Sequence, residues 1–183
     1  RTHHTGEQTA ERYEQQTRCL DRSLREFDGF VAALETADNA LVERSATAAE
    51  NLSSPGGCLD STANAVDIPE PEDRARVDEL YLELADARAS RLAQRNDEAD
   101  ETLMRVTSEA EALGHRPLEL DAWLERGLLE CRRNEARAAE LALSKAIALA
   151  VELDDDLALA RAAARMIWVT SAETPDEPAG NLW

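Results

Sequence analysis

Aromatic residues are scarce in this chain, 4% of 183 residues. A core without many rings must be filled by aliphatic side chains, and Ala, Leu, Glu and Arg dominate here. These are residues that lose little freedom in a helical turn, so the composition favours helix. Positive charge is also short: 20 Lys and Arg stand against 38 Asp and Glu, a net charge of -18. A nucleic-acid binder neutralises phosphates with clustered Lys and Arg, so that class of partner is excluded. Long apolar runs are missing, with no stretch of about 18 residues suited to crossing a bilayer. The most apolar segment, Leu157 to Val169, is interrupted by Arg161 and Arg165. No direct membrane insertion is therefore expected of this segment, and no signal peptide is visible. The chain does not begin with Met and is read as a piece of something longer. Its length suits one domain or two small ones.

Catalytic signatures are missing too. Neither G-x-G-x-x-G nor G-x-x-x-x-G-K occurs, so no loop is seen to cradle a phosphate. There is no His-Arg-Asp catalytic loop and no Asp-Phe-Gly. Asp28-Gly29-Phe30 has those letters in the wrong order, inside a helical pattern. His3 and His4 are adjacent and would point to different sides of a helix. No C-x-x-C or His-x-x-x-His pair exists, so no zinc site is expected. Asp154-Asp155-Asp156 lacks the alternating ligands and the Gly of a calcium loop, and reads as a helix N-cap with charge suited to the dipole. His115, beside Gly114 and Pro117, reads as a loop residue, and no Cys has a sequence-evident His partner for nucleophilic work. The segment is expected to be no enzyme and to carry no cofactor.

What is present is helical period throughout. Leu20, Leu24, Phe27, Val31 and Leu34 recur at steps of 4, 3, 4 and 3 in a long helix beginning near Gly6, with capping-box spacing between Thr5 and Gln8. Thr36-Ala37-Asp38 breaks it, with Asp38 an N-cap for a second helix carrying Leu41, Ser45, Ala48 and Leu52. Residues 1–52 thus predict a long antiparallel hairpin. Ser53-Ser54-Pro55-Gly56-Gly57, Pro69 and Pro71 mark residues 53–71 as a linker, with one short helical turn near Leu59 to Ala65. The pattern predicts helices near 6–35, 39–52, 73–94, 97–113, 117–132, 135–153 and 155–169, an all-α fold without strands.

The last five of these helices repeat. Trp123, Gly127, Ala139, Leu143 and Ala146 fall at offsets 0, 4, 16, 20 and 23. Ala87, Ala99, Leu103 and Val106 match the last four of them at a constant shift of 40, as Ala122 matches Ala162. This spacing resembles the tetratricopeptide repeat, where a small residue on the first helix lets the second approach. The shift exceeds the usual repeat of about 34 residues, so each helix is expected to be about a turn longer. Arg126, Glu130 and Val151 depart from the Leu, Tyr and Pro of that pattern. The resemblance implies a right-handed array of helix pairs over 72–169, divided as 72–113, 114–153 and an incomplete 154–169, followed by an irregular tail over 170–183. A generic alanine-rich array of helical hairpins is the alternative.

The order of shorter pieces is similar to one bacterial family, large serine/threonine protein kinases whose C-terminal half carries tetratricopeptide repeats. These pieces are Gly6-Glu7-Gln8-Thr9, Arg18-Cys19-Leu20 with Arg22 and Leu24, Ala37-Asp38, Val42 and Cys58. Pro69 and Pro71 ahead of Arg76-Val77, Asn96-Asp97-Glu98-Ala99, Ala112-Leu113-Gly114 and Arg116-Pro117-Leu118 follow. The likeness covers roughly residues 2 to 169. It implies a non-catalytic interaction or sensory segment of a signal-transduction protein, the kinase domain and often a membrane segment lying upstream.

In such arrays the first helices line a concave groove. The candidate lining is Tyr81, Arg88 and Arg91, then Asp121, Leu128 and Arg132, then Arg161 and Trp168. Guanidinium groups so arranged suit a carboxylate-bearing protein or peptide through forked hydrogen bonds. The alternative is that these arginines pair with neighbouring carboxylates. Two other readings of function are self-association as a homodimer through the hairpin, and the repeat region of a transcription regulator.

Cysteine separates compartments. Counting down the second helix returns the chain to the level of residue 23 by Leu52, and the breaker then delivers Cys58 near Cys19. A disulfide there closes a loop of about 40 residues, worth roughly 4 kcal/mol in the chain-entropy model. It would place the segment in the extracytoplasmic part of a membrane-anchored kinase. Two reduced thiols in a cytoplasmic protein are the alternative. Cys131 reads as a small unpaired side chain within a repeat helix. With no phosphate loop, catalytic Asp or metal ligands in the sequence, the purified chain is expected to show no autophosphorylation when incubated with radiolabelled ATP and magnesium; incorporated label would refute this.

Overall fold

The computed structural model describes residues 10–50, 52, 54–59 and 69–173. The expected capping box at Thr5 and Gln8, the turn after Leu59, and the tail beyond Glu173 lie outside these residues. Among the described residues the fold is all-helical. It has α1 (Ala10–Glu35), α2 (Asn39–Glu50), a 3₁₀ helix (Pro55–Leu59), α3 (Arg74–Leu92), α4 (Asn96–Leu113), α5 (Arg116–Arg133), α6 (Ala136–Glu152) and α7 (Asp156–Glu173). The chain divides into two compact units, residues 1–94 and 95–183, a boundary inside the expected first repeat.

Local chemistry sets the ends. Asp38 Oδ1 accepts from Leu41 N–H at 2.7 Å at the start of α2, and Asp155 Oδ1 accepts from Ala158 N–H at 2.9 Å at the start of α7. The acidic run at 154–156 is thus a helix cap. His115 is more than a loop residue: its Nδ1 accepts from Leu118 N–H at 3.3 Å, capping α5, and Pro117 sits in the first turn, where a missing N–H costs nothing. The 3₁₀ helix starts at Pro55, inside the breaker cluster and ahead of the expected place. Helix α7 runs on to Glu173, past the expected break at 169, because no Pro or Gly intervenes before Pro175.

A beat of 20 residues runs through the later helices. Gln94, Gly114, Asn134 and Asp154 all adopt left-handed backbone, with φ of 63°, 66°, 58° and 56°. After α5 and α6 the next N–H reaches back five residues, Glu135 to Glu130 and Asp155 to Ala150, closing the helix end. Helices α3 to α7 are 17 to 19 residues long, the extra turn that a 40-residue pair requires.

In the first unit α1 lies against α3. Glu26, Phe30 and Ala33 of α1 are buried, and Phe30 and Ala33 meet Leu41 and Ala48 of α2, Leu92 of α3 and Ala93 just past its end. Gly29 makes this approach possible, since a Cβ there would come within 2.9 Å of Ala89 Cβ. Arg25 forks onto Asp86 with bonds of 2.7 and 2.8 Å. Cys19 and Cys58 are bonded, their Cα atoms 5.6 Å apart, which pins the 3₁₀ helix to α1. The apolar stripe of α1 is not what it buries: Leu20, Leu24, Phe27 and Val31 are exposed, and only Leu34 is partly covered.

In the second unit α5 packs on α4 and α6, and α7 packs on α6 and α5. Its core joins Leu120, Trp123 and Leu124 to Ala139, Leu143, Ala146 and Leu149, then to Ala158, Ala162 and Val169. Gly127 marks the closest crossing. A Cβ there would stand 2.6 Å from Leu143 Cδ2 and 2.7 Å from Cγ, and Leu143 is fully buried. A mid-helix Gly costs about 1 kcal/mol against Ala; the contact explains its use. Gly127→Val should lower stability by about 2 kcal/mol through overpacking, and Leu143→Ala by about 3 kcal/mol through cavity formation. Together they should cost less than the sum, because the truncated Leu143 makes room; strict additivity in urea melts would show that the two sites do not share a contact.

Candidate interaction surface

Two of the expected groove residues are already engaged within the first unit. Tyr81 is 5% exposed and carries the Arg22 guanidinium 3.9 Å from its ring centroid. Arg88 Nη1 stands 3.5 Å from the buried carboxylate of Glu26. Both partners come from α1, which packs on α3. Arg91 is buried in the last turn of α3. Within the first unit α1 thus covers this part of the expected lining, and no local sequence signal links residues about sixty apart across a linker.

In the second unit the expected lining lies on α5 and α7. Helices α5 and α7 are neighbours, both resting on α6. Asp121 and Leu128 are half-buried on α5, Arg132 is exposed in its last turn, and Arg161 and Trp168 are exposed on α7. Leu128 and Cys131 pack against the core cluster. Burial pushes the Cys131 thiol above its ordinary pKa, and Arg165 of α7 opposes that shift, which places Arg165 on this side beside α5. Cys131 is unpaired, as expected. The surface thus has an apolar floor and arginine at its rim.

Three features escaped sequence reading. Trp123 is enclosed by cations, with Lys145 Nζ 3.9 Å and the Arg126 guanidinium 4.8 Å from its ring. Glu111 joins them, accepting from Trp123 Nε1 at 3.2 Å and from Lys145 at 3.3 Å, so α4, α5 and α6 meet at one aromatic. Arg116 forks onto Glu152 at 3.1 and 2.6 Å while also meeting Glu119, and its bond lowers the Glu152 pKa. Arg133 donates to Asp100 at 2.5 Å. The lone signal for any of these was Trp123 at the first repeat position; its partners follow no period.

Among the described residues no three His, Cys, Asp or Glu side chains are grouped to hold a metal ion, and no helix is long and apolar enough to cross a membrane. His3 and His4 lie outside these residues. Comparison with family models, curated proteins and solved structures finds no match.

Glu130 stands where the tetratricopeptide pattern has Tyr. It is 8% exposed, and burial raises its pKa, with Arg133 opposing. A raised folded-state value means that the native state binds the proton more tightly than the unfolded chain does. Its contribution is therefore complete below the ordinary carboxylate pKa of about 4.3 and is lost as pH rises through the folded value. Glu130→Gln should thus gain stability over the parent at pH 7 and lose that advantage at pH 4, read as paired thermal melts; an advantage independent of pH would rule out the titration.

Proposed function

We propose that this chain is a non-catalytic protein-interaction segment, a tetratricopeptide-like array of the kind found in the C-terminal half of large bacterial serine/threonine kinases, and that its α5–α7 surface takes a carboxylate-bearing peptide. The observation that carries the reading is the 20-residue recurrence of left-handed helix ends, joined to the Gly127–Leu143 fit at the position where the repeat needs a small residue. Such arrays bury their apolar sides only by stacking, which leaves first helices side by side as a continuous binding face. Arg132 and Arg161 at the rim of that face suit carboxylates in an otherwise acidic chain. The Cys19–Cys58 bond supports the extracytoplasmic compartment, where disulfides persist. A kinase domain and a membrane segment encoded upstream of Arg1 would identify the parent.

The binding face is tested by fluorescence anisotropy with a labelled peptide rich in Asp, Glu and Leu. Arg132→Glu should weaken its binding by about tenfold or more, the scale of one lost charge-assisted contact. Arg137→Glu, exposed on α6, is the control and should leave binding unchanged; Arg22 would be a poor one, since it packs on Tyr81. Equal losses at both positions would reduce the effect to net charge, and no binding at all would end the acidic-ligand reading.

A further inference from the structure

Helix α1 turns its better apolar side outward. Tyr13, Leu20, Leu24, Phe27 and Val31 are 65, 40, 58, 52 and 39% exposed. Their steps of 7, 4, 3 and 4 form the a and d seam of a heptad pattern, the pattern that packs against another helix. At 3.6 residues per turn the centre of this seam lies about 125° around the helix from that of Glu26, Phe30 and Ala33, which are buried. Along one edge of the seam runs a carboxylate every seventh residue, Glu14, Asp21, Asp28 and Glu35, all exposed. Glu14 already meets Arg18 and Arg74, and Asp28 acts on the charge of Arg25, which is forked onto Asp86; Asp21, Asp28 and Glu35 edge the seam below Glu14.

Helix α7 has the matching face. Leu157, Ile167 and Trp168 are 71, 68 and 51% exposed, with Ala160 and Ala164 exposed between them. Arg161 and Arg165 line one edge. Helix geometry puts the charged edge on the same hand of the apolar face in α1 and in α7. When two helices pack face to face and antiparallel, edges of the same hand meet. The acidic edge of α1 would then lie along the arginine edge of α7. Two α1 helices packed antiparallel would instead set carboxylates against carboxylates, and an anionic membrane would be repelled by the same edge.

We infer that the occupant of the α7 face is α1 of a second copy of this chain, docked antiparallel, with Asp21 and Asp28 facing Arg161 and Arg165 and with Phe27 and Leu24 on the apolar face. The inference rests on the reading of the α7 arginine edge as a carboxylate-binding rim, and it names the acidic partner. The contact is heterologous, since different surfaces meet, so copies join head to tail in a ring or an open chain and not as a two-fold pair.

The test is the mass of the oxidised 183-residue chain against concentration, by sedimentation velocity. The parent should grow in mass through species above dimer. Phe27→Asp, and separately Arg161→Glu with Arg165→Glu, should each weaken association by about tenfold or more, the cost of losing one central contact. Each variant retains one intact face, so mixing the two should give a dimer and nothing larger. Exchanging charges, Asp21→Arg and Asp28→Arg with Arg161→Asp and Arg165→Asp in one chain, should restore growth. Far-UV circular dichroism reports whether each variant is still helical, and the charge-exchanged chain keeps the test valid if Phe27→Asp misfolds. A parent that stays monomeric, or two variants that fail to complement, overturns the inference. If the parent is monomeric while the acidic peptide binds in the Arg132-dependent way, the interaction surface stands and only the second copy as occupant falls; if neither occurs, both fall.

Discussion

Helices faced with alanine hold together only where their backbones come close. An Ala removes little area from water, and at about 25 cal/mol per Å² of apolar surface a core of methyl groups depends on many short contacts. Gly127 against Leu143 is where that condition is met most tightly in the second unit, and Gly29 against Ala89 in the first. At both places the helix accepts a residue with poor helical propensity so that a neighbour can fit. Around Gly127, Ala139, Ala142, Ala146, Ala150, Ala158 and Ala162 line the crossings, while Leu124, Leu129, Leu143 and Leu149 fill the space between. The scarcity of aromatic residues is the compositional face of the same packing, and Trp123 is the aromatic of the second unit's core cluster, placed where three helices converge and where cations cover what the core leaves open.

The one-dimensional signals were legible to the extent that they were local. Helix limits followed from apolar period and from breakers, and Asp38 and Asp155 cap where their position before an apolar run places them. The pairing of Cys19 with Cys58 came from counting residues up one helix and down the next, though that count left reduced thiols open. The 40-residue shift was visible in small and aliphatic residues and has a 20-residue counterpart in the backbone, where Gln94 does not look like a helix terminator by type. Gly114, Asn134 and Asp154 were the readable members of that series, since Gly, Asn and Asp adopt left-handed backbone most readily.

What sequence could not supply was direction. Period finds an apolar stripe on α1 but does not say which side meets the rest of the unit. Here the buried side is the less apolar one, with Cys19, Glu26, Gly29, Phe30 and Ala33, and it is chosen by three non-local features: the disulfide, the close approach at Gly29, and Arg25 forked on Asp86. None leaves a trace within a window of neighbouring residues. The same placement explains why Tyr81 and Arg88 belong to a covered contact, whereas Arg132 and Arg161 are exposed. A buried Glu26 within reach of Arg88 is consistent with a contact tuned for position, since paired charges specify an arrangement at little net gain in stability.

The left-handed residues at 94, 114, 134 and 154 also set the quantum in which this architecture changes length. Losing a single residue inside α5 would turn everything after it by about 100° around the helix axis, swinging the slot at Gly127 away from Leu143. Gaining or losing a whole helix pair leaves every slot opposite its filler. A change of one whole pair, about forty residues, would therefore alter the reach of such a chain without redesigning any contact, whereas a small insertion within a helix would not.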